Sequence, residues 1–170
     1  MTMTTTTANA TMTTTTKRQL ATFTLDSILF GIDVARVQEV LRCQPMTVVP
    51  LAPKIVGGLI NLRGKIVAAI DLRRRLGLPA RDADLPTMNM VLRTEEGAVS
   101  LLVDSIGEVV TVDQESFEPP PDTMIDAARD VVEGVYKLPV GLLLALDWKT
   151  AVASPASARN SDSNNGRVTR

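Results

Sequence analysis

Short apolar runs recur along the chain, rich in Val, Ile, Leu and Thr and bounded by Gly, Pro or Asp. Runs this short, in these residue types, read as strands. They fall at residues 21–25, 28–32, 48–49, 58–62, 66–70, 88–93, 98–103, 109–112, 131–136 and 142–146. Residues 21–25 lead through Asp26-Ser27 into 28–32, a hairpin pattern, and Thr94-Glu95-Glu96-Gly97 predicts a turn between two later strands. Helical spacing is confined to single turns. Asp33 is placed to cap a turn with Val34, Val37, Val40 and Leu41 on one face, a set that ordinary burial assigns to the core. Asp71 is placed to cap 72–76, which Gly77 stops, and Asp147 to cap 148–152. Many short strands with one-turn helices predict an all-β barrel or sandwich.

The pattern repeats. Residues 58–73, GLINLRGKIVAAIDLR, align without gaps on 134–149, GVYKLPVGLLLALDWK, at an offset of 76. Gly58 meets Gly134, Leu62 meets Leu138, Ala69 meets Ala145 and Asp71 meets Asp147. A gapped match places Ile32-Asp33 on Val103-Asp104 and residues 37–40, VQEV, on 106–109, IGEV. Two similar five-stranded units follow, about 20–87 and 88–152, each too small to stand alone and so packed as one body. The copies differ at the hairpin turn: Asn61-Leu62-Arg63-Gly64 in one, Lys137-Leu138-Pro139-Val140-Gly141 in the other. An amide and a five-donor guanidinium on a rim turn suit a carboxylate or backbone carbonyls of a partner.

Composition narrows the chemistry. The chain of 170 residues is 45% apolar, enough for a core. Its ends are different: residues 1–19 form a threonine-rich head and 153–170 a polar tail, and both read as disordered. There is no histidine, which excludes serine–histidine and cysteine–histidine catalysis, HExxH zinc chemistry and a phosphohistidine relay. The single Cys43 forms no internal disulfide and fits a reduced compartment. A formal net charge of −1 gives no footprint for nucleic acid. No apolar run is long enough for a transmembrane helix, and no signal peptide is recognisable, so a cytoplasmic location is expected. Between residues 20 and 93 ten basic residues stand against six acidic, a balance of +4; between 94 and 152 three stand against twelve, a balance of −9. Asp71 and Asp104 read as caps, and Arg73-Arg74-Arg75 as a solvated helical face. No catalytic, cofactor-binding or metal-ligating residue is assigned, and the chain reads as a binding module.

The segment IVGGLINLRGKIVAAIDLRRRLGL closely resembles the signature of CheW-like domains, the coupling proteins of bacterial chemotaxis arrays. GIDVARVQEVL, SLLVDSIGEVVTV and the stretch near GLLLALDW resemble that family's other blocks, in one register from about residue 20 to 152. The resemblance implies two intertwined, SH3-like five-stranded β-barrels with no enzymatic activity. It implies a scaffold between the cytoplasmic tip of methyl-accepting chemoreceptors and the regulatory domain of a CheA-type histidine kinase. Other CheW-like copies are further possible neighbours. It places Val37 and Glu39 near a receptor-contacting groove and Asn61, Arg63 and Gly64 in the family's characteristic turn, with Arg63 and Glu39 ion-paired. Val103 would line the groove, and Gly58 would permit close backbone approach. An adaptor of the same fold in a pilus or surface-sensing pathway, and a small-ligand-binding barrel, are the competing readings.

Overall fold

The structure, a computed structural model, describes residues 16–153. The head and tail expected to be disordered lie outside the described residues, except at their inner ends. The first strand already begins at Lys17.

The strands are β1 (Lys17–Leu25), β2 (Ile28–Asp33), β3 (Val37–Arg42), β4 (Val56–Leu62), β5 (Lys65–Asp71), β6 (Met88–Thr94), β7 (Gly97–Val103), β8 (Ser105–Asp113), β9 (Phe117–Glu118), β10 (Val132–Leu138) and β11 (Gly141–Leu146). Three helical turns follow strands or loops: α1 (Leu72–Arg75), α2 (Asp126–Arg129) and α3 (Trp148–Val152). Two sheets result, ordered β8-β1-β2-β11-β10-β9 and β3-β6-β7-β5-β4. The architecture is all-β, two SH3-like subdomains with short helices.

The repeat governs the register. In one sheet β5 runs parallel to β7, with Ala68 opposite Val99 and Ala69 opposite Ser100. In the other, β11 runs parallel to β2, with Leu144 opposite Phe30 and Ala145 opposite Gly31. The offset of 76 carries Ala68 and Ala69 onto Leu144 and Ala145. Both second hairpins also shift register at the same place, Val56/Gly58 in β4 and Val132/Gly134 in β10. The matching glycines have matching causes. A Cβ on Gly58 would sit 2.8 Å from the Thr47 carbonyl oxygen, and one on Gly134 would sit 2.5 Å from that of Glu118. In each copy a flanking segment crosses the hairpin too closely for any side chain.

The boundary between residues 87 and 88 separates the sequence copies but not the sheets. The β1–β2 hairpin of the first copy joins β8, β10 and β11 of the second, and the β6–β7 hairpin of the second joins β3, β4 and β5 of the first. A hairpin satisfies its inner hydrogen bonds itself and needs only a sheet edge on each side. Alternating apolar positions bury it equally well against either copy, so the pattern is silent on which copy supplies the edges.

Exchange also joins the cores. Phe23, Leu25, Phe30 and Ile32 of the first hairpin pack with Met90, Leu92, Leu101 and Val103 of the second hairpin. Leu72, Leu76 and Ala151 close this shared core from α1, its following turn and α3. The Phe23 and Phe30 rings stack at 5.8 Å. Full burial of each such side chain contributes about 2–3 kcal/mol. Smaller clusters fill each barrel: Leu20, Val112, Tyr136, Leu143 and Ala145 in one, Ile60, Val67, Ala69 and Leu102 in the other.

Two expected elements differ. Asp33 does cap a turn, accepting the Ala35 amide at 2.9 Å, but that turn is 3₁₀ and ends at Arg36. Val37, Val40 and Leu41 lie on β3, not on a helix, and alternate in exposure because β6 offers that stretch a ladder. Residues 48–49 are not a strand; there the only pairing is a single bridge from Thr47 to Leu59. Among the described residues no helix is long and apolar enough to cross a membrane.

Candidate functional site

The β4–β5 turn is built from residues chosen against local preference. Leu62 pairs with Lys65, leaving Arg63 and Gly64 as a two-residue loop with φ of 50° and 83°. Both are left-handed, as the right-handed twist of a tight hairpin demands. Gly64 meets this at no cost; its Cβ position is open space, so only its φ requires glycine. Arg63 has a Cβ and is strained there by about 1–2 kcal/mol. Asn61 anchors the loop, its Oδ1 accepting the Gly64 amide at 2.9 Å. An arginine in a position that favours Asn or Gly earns its place through its side chain.

That side chain reaches across the barrel. Arg63 Nη2 donates to Glu39 Oε2 at 2.8 Å, tying the turn to β3. The Arg63 side chain is 80% exposed and that of Glu39 only 17%. An ion pair this open contributes no more than about 1 kcal/mol to folding. Beside it Gln38, Glu39, Leu62, Arg63, Lys65 and Val67 line a shallow cleft of about 140 Å³. Val37 is half-buried at the start of the same strand and packs on the shared core, while Val40 further along is exposed. Glu39, Asn61, Arg63 and Gly64 are thus brought together on one surface of one barrel, while Val37, two residues before Glu39, packs inward on the shared core. Gly58 acts from beneath, fixing how β4 meets the Thr47 segment. Val103 does not belong to this surface: it is completely buried at the end of β7, in the core the two sheets share.

A second polar cluster is partly buried where the β1–β2 turn meets α1. Asp104, between β7 and β8, accepts from Arg73 Nε at 3.0 Å and from the Asp26 amide at 2.9 Å. Arg81 also donates to it through Nε, at 2.9 Å. Arg73 is 6% exposed and further donates to the Pro79 carbonyl at 2.9 Å. Burial alone would raise the Asp104 carboxyl; Arg73, the Asp26 amide and Arg81 outweigh it and hold the group at about 2. Arg73 is raised in turn by its bond to Asp104. Asp104 is thus no helix cap but the joint between the β1–β2 turn, α1 and the segment after α1. Of 73–75, only Arg74 is the solvated residue expected; Arg73 is buried and Arg75 half-buried. Arg73 faces inward, Arg74 donates to the Lys54 carbonyl at 3.1 Å and Arg75 to that of Thr150 at 3.1 Å. Part of the signal was present in the spacing: Arg73 stands three residues before Leu76, which is fully buried. Asp71 and Asp147 do cap, accepting the Arg74 amide at 3.2 Å and the Lys149 amide at 3.0 Å.

Among the described residues no group of three or more acidic or cysteine side chains is arranged to hold a metal. The fold is thus a pair of strand-exchanged SH3-like barrels with an exposed, ion-paired turn beside a shallow cleft. The comparisons with known proteins agree. The family model of the CheW-like domain matches residues 19–155. The chemotaxis protein CheW of Treponema pallidum is 32% identical over 135 residues, 76% of this chain and 78% of the relative. That of Rhizobium meliloti is 32% identical over 121 residues, 71% of this chain and 78% of the relative. The crystal structure of the scaffolding protein TtCheW from Thermoanaerobacter tengcongensis superposes with a TM-score of 0.70 at 30% identity, covering 78% of this chain and 90% of that one. This chain belongs to the CheW-like family of chemotaxis scaffold proteins.

Proposed function

We propose that the protein is a cytoplasmic, non-enzymatic adaptor that couples the tip of methyl-accepting chemoreceptors to the regulatory domain of a CheA-type histidine kinase. The Arg63 turn carries this reading. A strained backbone that holds a largely exposed guanidinium beside a cleft gains little for folding, and a partner group is what such a fork fits. Glu39, Asn61 and Gly64 complete that contact surface, with Val37 and Gly58 setting its shape from beneath.

Charge supports two different neighbours. With the hairpins exchanged, residues 34–103 carry ten basic against six acidic side chains, +4. The other barrel, 17–33 with 104–153, carries five against twelve, −7. Opposite fields on the two barrels steer partners of opposite sign and orient each on its own side. The test is capture from cell lysate with the full chain as bait and an Arg63→Glu bait alongside. Recovery of a chemoreceptor and a CheA-type kinase, reduced by the substitution, is the expected result. Recovery of neither by a folded bait would overturn the assignment.

A further inference from the structure

The chain crosses between the two sheets twice, and each crossing is held by a different device. β7 gives way to β8 at Asp104, and β2 gives way to β3 through the 3₁₀ turn Val34–Arg36. The repeat places Asp33 on Asp104 and Trp148 of α3 on Leu72 of α1. At the first of these crossings α1 grips the carboxylate, through Arg73 on Asp104. Asp33 has no ion-pair partner among the described residues; its carboxylate accepts the Ala35 amide, inside the turn itself. The tie to α3 comes from Trp148, whose ring centroid lies 4.7 Å from Arg36 Cζ at the end of the turn.

We propose that Trp148 is a positioning residue: its ring holds the Arg36 guanidinium, fixes the crossing from β2 to β3, and so sets where β3 presents Glu39 to a partner. What that surface meets rests on the adaptor reading above. None of the three residues of the turn is buried, and Val34 alone of them packs against the shared core, so packing holds the turn weakly. Arg36 is half-buried and pairs with no carboxylate among the described residues, which leaves the ring as its partner. The ring is itself well anchored. Trp148 packs on the shared core, Ala151 of α3 is fully buried, and Asp147 accepts the Lys149 amide at 3.0 Å and the Thr150 hydroxyl at 2.6 Å. Lys149 Nζ lies 5.7 Å from the same ring, but it belongs to α3 and ties nothing across. The strand is sensitive to how the turn releases it. Val37 pairs with Leu92 and Glu39 with Val91, so Gln38 is the extra residue of a bulge, and a bulge re-aims the side chains that follow it.

The experiment is amide hydrogen exchange, read by NMR on the full chain, in Arg36→Lys, Arg36→Gln, Trp148→Phe and Trp148→Leu. The reporters are the Ala35 amide, bonded to the Asp33 carboxylate, and the Val37 amide, bonded to the Val34 carbonyl. Arg36→Gln and Trp148→Leu should speed exchange at both by about two- to fivefold, the scale of one partly exposed cation–π contact. Arg36→Lys and Trp148→Phe keep the cation and the ring and should stay near wild type. The Asp104 amide, bonded to the Thr24 carbonyl at the other crossing, should be unchanged in all four, which separates local loosening from lost stability. The same chains then serve as baits in capture from cell lysate, where Arg36→Gln should recover less kinase and receptor than Arg36→Lys. Equal exchange in the Gln and Lys variants would overturn the tie between Trp148 and Arg36. Faster exchange with undiminished recovery would overturn the positioning role. A wild-type bait that recovers neither partner would sink the adaptor reading, and the positioning role with it, while the exchange rates still decide the tie.

Discussion

The same pairing of guanidinium and carboxylate appears twice in this molecule and does two different things. Asp104 sits between two largely buried arginines, Arg73 and Arg81, and also accepts the Asp26 amide. Glu39 meets Arg63 at the surface, on a loop whose arginine is mostly in water. The carboxylates are about equally covered and the arginines are not: removal of Asp104 leaves the largely buried Arg73 and Arg81 without their counter-charge, whereas removal of Glu39 leaves an Arg63 that water already solvates. The buried pair holds segments together. The exposed pair presents a donor fork in a fixed place.

Breaking the buried pair should have the largest effect. Asp104→Ala leaves the largely buried Arg73 and Arg81 without their counter-charge and should cost about 2–4 kcal/mol in urea unfolding, less than a fully dry pair. A loss equal to that of a surface alanine would remove the distinction between the clusters. Acid should probe the same joint without mutation. The folded carboxyl titrates at about 2 against an ordinary 3.8, so the unfolded chain binds the proton more tightly. The stabilisation, about 2 kcal/mol, is therefore complete above pH 4 and disappears as pH falls from about 4 towards 2. In Asp104→Asn that portion of the acid-dependent loss should vanish, measured as the change in unfolding midpoint between neutral and acid pH.

Gly58→Ala comes next, since its Cβ would press on the Thr47 carbonyl at 2.8 Å. A cost of about 1–3 kcal/mol is expected, with loss of protection at the Thr47 and Leu59 amides in hydrogen exchange. Arg63→Ala should be smallest for stability, within about 1 kcal/mol of wild type. It should be largest for binding, weakening kinase or receptor affinity by at least about tenfold in calorimetry. An Arg63→Ala chain that unfolds early and binds normally would invert the comparison.

Much of this was legible before the fold was known. The Gly–strand–turn–strand–Asp frame recurs at a fixed offset because each copy meets the same local demands: a crossing segment over the glycine and an open helix terminus at the aspartate. The Glu39–Arg63 pair followed from family resemblance, not from spacing. What stayed hidden was non-local. Residues 37–41 fit a helical face as well as a strand until β6 supplies a ladder. Three consecutive arginines look like solvent until one finds Asp104, thirty-one residues away. Val103 resembles a groove position until two sheets close over it.

Hairpin exchange also sets the order in which this protein can be made. The ribosome releases β1 and β2 first, and together they form a ribbon with two unsatisfied edges. Their partners β8 and β11 are among the last strands to emerge. The other sheet, β3 to β7, is contiguous in the chain and complete by Val103. The first-born hairpin therefore waits the longest, with its edges open to chaperones or to stray strands for most of synthesis. Lys17 and Arg18 at one end, and Asp26 in the left-handed turn at the other, put charge at both ends of that waiting ribbon.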